Sequence, residues 1–229
     1  MRRLLCLLIL SPTLAWAQGI TYTLSPPAWS NVITTSGMYN LQMQNLSDNY
    51  RKSAAPKSPV AIAPVSFVAD RSVDAAAKLS KSYPENQRPK VLAVFRDLLD
   101  KYHAVERQFS IPQGDLAGAV TMFLVGSYEA YHGKELETEA VGPLLKQMRV
   151  VVRDTPAIVA SPDRDKQEMY EQMAILGMFL SATQLALEDS PNPQVRARLK
   201  QAGKDYLENF LKVDVERIVI DGRGMSYRP

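Results

Sequence analysis

From about position 66 onward, apolar residues recur at three- and four-residue intervals almost to the end of the chain, whereas no such period is sustained before it. The spacing predicts a short helix over 72–81, capped by Ser72, with Val73, Ala76, Ala77 and Leu79 available for burial and Pro84 as its stop. A long helix over 86–107 follows, tolerating Pro89 in its first turn, with Val91, Phe95, Leu98, Tyr102 and Val105 forming one stripe. Ile111-Pro112-Gln113-Gly114 breaks the pattern, and Asp115 caps a helix that runs to Gly133. Its apolar positions wrap widely around the axis, which places it centrally. Gly118 and Gly126 inside it each cost about 1 kcal/mol relative to alanine, so a neighbouring helix is expected to approach closely there.

Pro143 opens a helix to Arg153, ended by Thr155-Pro156. Ser161-Pro162-Asp163 starts the next, whose stripe is Met169, Met173, Leu176, Leu180 and Leu187. The turn over 189–193 leads into a last helix with Val195, Leu199, Ala202, Tyr206 and Phe210 on one face. Residues 213–220 are β-branched and read as a short strand or an irregular tail, followed by a Gly222-Arg223-Gly224 turn and a frayed end; a strand there would pair with the N-terminal arm. The expected fold is all-α: a single bundle or orthogonal array of five to six helices over 67–212, with 213–229 as a strand or tail.

The N-terminal third reads differently. Met1-Arg2-Arg3, the apolar run from Leu4 to Leu10 and Ala15-Trp16-Ala17 have the form of a signal peptide over 1–17, cleaved after Ala17. A periplasmic or secreted bacterial protein is therefore expected. Residues 18–66 carry Pro26, Pro27, Pro56, Pro59 and Pro64 among polar residues and read as an irregular arm and linker, with a strand edge over 21–24 and a turn or strand over 38–46 as its local structure. No stretch reaches the ~20 apolar residues that span a bilayer, so no transmembrane segment is expected.

Composition narrows the chemistry. In 229 residues there are 27 Lys+Arg against 24 Asp+Glu, and Arg2 and Arg3 in the leader supply most of that excess. Nucleic acid is not an expected partner: Arg196, Arg198, Lys200 and Lys204 on the last helix lack interleaved aromatics and are flanked by acids. The one cysteine, Cys6, lies in the leader, which leaves no thiol chemistry.

Two histidines exist, and each follows an acid by three residues: Asp100 before His103, Glu129 before His132. That spacing puts acid and imidazole on one helix face, as in di-metal bundles. In antiparallel neighbours the two pairs would lie ~20 Å apart, so no metal is assigned. Gly126-Ser127 lacks the second glycine of a nucleophile elbow. Met169 and Met173 continue a leucine stripe, which is the spacing of a core face more than of a copper site. Glu129, Glu168 and Glu171 are the carboxylates near apolar faces. Glu129 and His132 are the candidate catalytic residues, and no cofactor is implied.

Asp115-Leu116-Ala117, the run Tyr128-Glu129-Ala130-Tyr131-His132-Gly133 and the segment from Lys166 to Phe179 together resemble exported bacterial proteins grouped as a domain of unknown function, from Phe67 onward. The resemblance implies export and a helical fold and carries no catalytic residue. The expected function is an exported non-enzymatic helical module that binds a protein or envelope component; the alternative is an envelope enzyme or small-ligand carrier with its site between helices.

Overall fold

A computed structural model describes residues 24–27 and 63–228 of the chain. The leader over 1–17 and the local structure expected over 38–46 lie outside the described residues. Among those described, the helices are α1 (Ala75–Ser80), α2 (Arg88–Gln108), α3 (Leu116–His132), α4 (Val141–Arg153), α5 (Pro156–Val159), α6 (Asp163–Asp189) and α7 (Pro193–Leu211), followed by strands β1 (Ile218–Asp221) and β2 (Gly224–Tyr227). No helix among the described residues is long and apolar enough to cross a membrane.

α3 and α6 are the central pair. All of α3 is buried except Tyr128 and His132, as its wide apolar wrap predicts. α6 is buried on more sides than its methionine and leucine stripe suggests, because Gln167, Glu168, Gln172, Thr183 and Gln184 are also enclosed. The two helices cross backbone to backbone: a Cβ on Gly126 would strike the Gly177 carbonyl, and one on Gly177 would lie 2.7 Å from the Phe123 nitrogen. At Gly118 the close neighbours are the Tyr102 hydroxyl of α2, the helix approach expected there, and Ile111 of the preceding turn, 2.9 and 2.7 Å from an added Cβ. Around this crossing, Phe95 meets Phe179 edge-on at 6.0 Å, and Phe123 packs on Tyr206 and Phe210 at 5.7 and 5.3 Å. Removing such a ring from water is worth roughly 1.5–3 kcal/mol. Met122, Met148, Met169, Met173 and Met178 are all buried in this core.

Helix ends follow local chemistry. Asp115 caps α3 by accepting from the Ala117 N–H at 3.1 Å, and its other oxygen accepts from Arg149 Nε of α4 at 2.9 Å. Gly133 closes α3 in the left-handed region, at φ 68. Asn192 caps α7 through the Gln194 and Val195 N–H groups. The cap expected of Ser72 is instead supplied by Asp74, which accepts from Ala77 N–H at 2.9 Å. Ser72 is held in a turn by its own N–H donating to Asp70 Oδ1 at 2.8 Å, so the cap of α1 lies two residues later than expected. Ser161 likewise turns back, its hydroxyl donating to the Ala157 carbonyl at 2.6 Å, while Asp163 and Asp165 supply the acidic first turn of α6.

The C-terminal strand pairs differently from expectation. β1 pairs antiparallel with β2, Ile218 opposite Tyr227 and Asp221 opposite Gly224, so residues expected to fray form a strand and, among the described residues, supply the partner expected of the arm. Gln147 of α4 fixes this hairpin: its Oε1 accepts from Met225 N–H at 2.6 Å and its Nε2 donates to the Met225 carbonyl at 3.1 Å. Ile218, Ile220 and Met225 are thereby buried. Of the arm, residues 24–27 are described: Leu24, where the expected strand edge ends, is a bend, and Leu24 and Pro27 are buried against the domain.

Candidate functional site

The last turns of α2 place Leu99, His103 and Glu106 at i, i+4 and i+7, on one face. The first turns of α6 place Gln167, Tyr170 and Glu171 opposite them. Residues 63–70 form a strap over this junction. Val68 N–H donates to Asp163 Oδ2 at 3.0 Å and Asp70 N–H to Gln167 Oε1 at 2.7 Å, while the Val65 carbonyl accepts from Leu116 N–H at 3.0 Å. Phe67 meets the Tyr170 ring edge-on at 5.3 Å. Between strap, helices and the Gln113-Gly114 turn lies a cleft of about 360 Å³, within the size range of small-ligand sites.

Glu106 anchors its polar wall. This carboxylate, 2 % exposed, accepts from the Tyr170 hydroxyl at 2.7 Å on one oxygen and pairs with His103 Nδ1 at 2.9 Å on the other. A carboxylate can only accept from the ring, so Nδ1 carries a proton, and in the neutral ring Nε2 is left as a lone-pair acceptor. The His103 and Tyr170 rings stack at 6.3 Å with 24° between planes. Burial and the adjacent Glu106 push the Tyr170 phenol far above its ordinary pKa, so it remains a hydrogen-bond donor. Burial also raises the Glu171 carboxyl, against hydrogen bonds from Gln167 and the Ala75 N–H that favour its charged form. Gln167 Nε2 donates to Glu171 at 2.7 Å. The two acids are thus engaged in holding neighbouring groups in place, and the cleft presents aromatic faces beside an imidazole oriented by its Nδ1 contact with Glu106.

The structure brings His103 to Glu106 and Tyr170, not to Asp100, and its partners are buried, not exposed. Neither Glu129 nor His132 lines this cleft, and Glu129 is buried while His132 is exposed. Glu129, 3 % exposed, accepts from the Ser181 hydroxyl of α6 at 2.5 Å and from Leu136 N–H at 3.0 Å, which ties the loop after α3 to the core. Desolvation raises its pKa to about 7. His132 is exposed at the end of α3, its ring 4.1 Å from that of Tyr128 and 5.0 Å from that of Tyr131. Glu168 forms an ion pair with Lys78 of α1. The basic residues of α7 are dispersed: Arg196 donates to the Leu187 carbonyl at 3.2 Å, Lys200 lies 5.2 Å over the Tyr131 ring, and Lys204 pairs with Glu208 at 3.7 Å. No group of three or more His, Cys, Asp or Glu side chains among the described residues could hold a metal ion.

Glu106 and Tyr170 were not singled out by the sequence. The available signal was His103-x-x-Glu106, the mirror of the Asp100-x-x-His103 spacing. Compared with known proteins, residues 4–228 match the model of a family of unknown function, DUF6683. No curated protein and no solved structure matches the chain.

Proposed function

The chain belongs to DUF6683, a family of unknown function, and we propose that this member is an exported, non-enzymatic binding module of the bacterial envelope whose His103 cleft takes a small ligand. The carrying observation is the fixed imidazole: with Nδ1 committed to Glu106, Nε2 offers an acceptor to a ligand N–H or O–H. Phe67 and Tyr170 supply apolar and aromatic surface beside it. Glu106 and Glu171 bias the cleft against anions, so the ligand class is a small neutral or cationic molecule with a hydrogen-bond donor. Binding is favoured over catalysis because both carboxylates already serve His103, Tyr170, Gln167 and the α1 backbone. Export rests on the arginine-led apolar leader and its Ala15-Trp16-Ala17 site.

The chain has two histidines, so its imidazole NMR spectrum contains two signals, and exposed His132 serves as an internal reference. Titration with a panel of small amines, amino acids and sugars should find a compound that shifts the His103 signal saturably while His132 stays still. His103→Phe should abolish that binding in calorimetry. Saturable binding that leaves the His103 signal unmoved would place the site elsewhere. Mass spectrometry of protein recovered from the envelope fraction of a bacterial host should give Gln18 as the first residue.

A further inference from the structure

Leu24, Ser25, Pro26 and Pro27 lie against the turn that precedes α2 and against Arg198 and Tyr206 of α7. Tyr83 Oη donates to the Ser25 carbonyl at 2.6 Å, Tyr206 Oη donates to the Pro27 carbonyl at 2.5 Å, and Arg198 Nη1 donates to Ser25 Oγ at 2.9 Å. Leu24 and Pro27 are buried while Ser25 is exposed and Pro26 half-buried. The two residues that are turned inward, Leu24 and Pro27, stand three positions apart. The two tyrosines are anchored from behind: Tyr83 packs edge-on against Phe95 at 5.9 Å, and Tyr206 stacks on Phe123 at 5.7 Å. Their hydroxyls are therefore held by the core, aimed at backbone carbonyls of the docked segment. Preorganised donors, an apolar slot and an aromatic lining are the elements by which proteins recognise extended proline-containing peptides.

We propose that this surface is a recognition site for extended segments of the pattern Leu-x-x-Pro, and that residues 24–27 of the same chain are its resident, displaceable occupant. Specificity resides in the leucine and proline that fill the slot, and in two carbonyls two residues apart that meet the tyrosine hydroxyls. Residues 28–62 connect the docked segment to the strap, long enough to permit docking on the same copy.

The test uses the chain from Gln18 to Pro229, in which Trp29, two residues beyond Pro27, is the only indole. Its fluorescence anisotropy and the rate of thermolysin cleavage before Leu24, read by mass spectrometry, both report docking. Tyr83→Phe and Tyr206→Phe each remove one donor while keeping the ring, and each should lower the docked-to-released ratio about five-fold. Leu24→Ser changes the arm alone and removes that thermolysin site, so it is read by anisotropy, which should fall without a shift in the denaturation midpoint of the helical domain. A synthetic peptide of residues 20–28 in excess should release the arm of that chain, and a scrambled peptide should not. Unchanged anisotropy in Leu24→Ser, or unchanged cleavage and anisotropy in Tyr206→Phe, would overturn the proposal, as would failure of the peptide to release the arm. Protection that grows with protein concentration alongside a dimer would also overturn it, by making the contact an exchange between copies.

Discussion

Replacing Glu129 by glutamine should stabilise the protein above neutral pH and leave it nearly unchanged in acid. The carboxyl is 3 % exposed, and desolvation moves its pKa from 4.5 to about 7 despite the bonds from Ser181 and Leu136 N–H. In the unfolded chain the proton leaves near the ordinary value; in the native protein it is retained to about pH 7. Between these limits the native state binds more protons than the unfolded state, so unfolding free energy falls as pH rises. The gap between 4.5 and about 7, at ~1.36 kcal/mol per pH unit, comes to about 3 kcal/mol. For a domain of this size that corresponds to roughly 6–12 °C in melting temperature. Glutamine has the same shape, can accept from Leu136 N–H and cannot ionise. Asp115 and Glu171 are also raised by burial, so the wild-type profile alone would mix several groups. Urea unfolding of wild type and Glu129→Gln at steps from pH 4.5 to 8.5 isolates the one carboxyl as a difference curve. The wild type should lose about 3 kcal/mol relative to the variant over that range. A difference curve flat to within about 0.5 kcal/mol would show that Glu129 ionises as a solvated acid does, and would refute the reasoning.

Other substitutions test separate parts of the structure. Gly177→Ala sets a methyl against the Met122 and Phe123 backbone and should cost about 3 kcal/mol or more in urea unfolding, whereas Gly142→Ala meets nothing within 4 Å and should gain up to about 1 kcal/mol. Asp115→Ala removes the α3 cap and the partner of Arg149, and should lower stability by about 3 kcal/mol, with Asp115→Asn retaining the capping share of roughly 1 kcal/mol. Gln147→Ala releases both backbone bonds to Met225; hydrogen exchange at the Met225 amide should accelerate by at least ten-fold, and an unchanged rate would show that strand pairing alone holds β2. Tyr102→Phe removes a buried hydroxyl that has no partner among the described residues and should be neutral or stabilising by about 1 kcal/mol in thermal melts.

The helices were legible because their signals are local. The stripe of α2, the Asp115 and Gly133 ends of α3 and the acidic start of α6 each occupy a few neighbouring positions, and each is where the spacing puts it. The cap at α1 was misplaced because Ser72 and Asp74 are both competent oxygens; the Asp70 turn engages the Ser72 backbone and leaves Asp74 to meet the Ala77 N–H. The hairpin was half legible. β-branched residues announce β1, but β2 is Gly-Met-Ser-Tyr, and its fixing depends on Gln147, far away in sequence. The cleft was least legible, because His103 has an acid three residues to either side and periodicity cannot choose between them. The choice is made by Tyr170, which reaches Glu106 from another helix, and by a strap without periodic pattern.

The contact between Gly126 and Gly177 makes the two sides of the cleft unequal. α6 is locked against α3 where their backbones touch, so the side bearing Tyr170 and Glu171 has little room to shift as a body. The opposite rim, residues 63–70, is attached by single hydrogen bonds from Val68, Asp70 and the Val65 carbonyl. Accommodation of guests of different size therefore falls to the rim, while the fixed wall sets which chemical groups are admitted. Changes at Phe67 or Ala69 would broaden or narrow the range of shapes, and changes at Tyr170 would alter the kind of molecule itself.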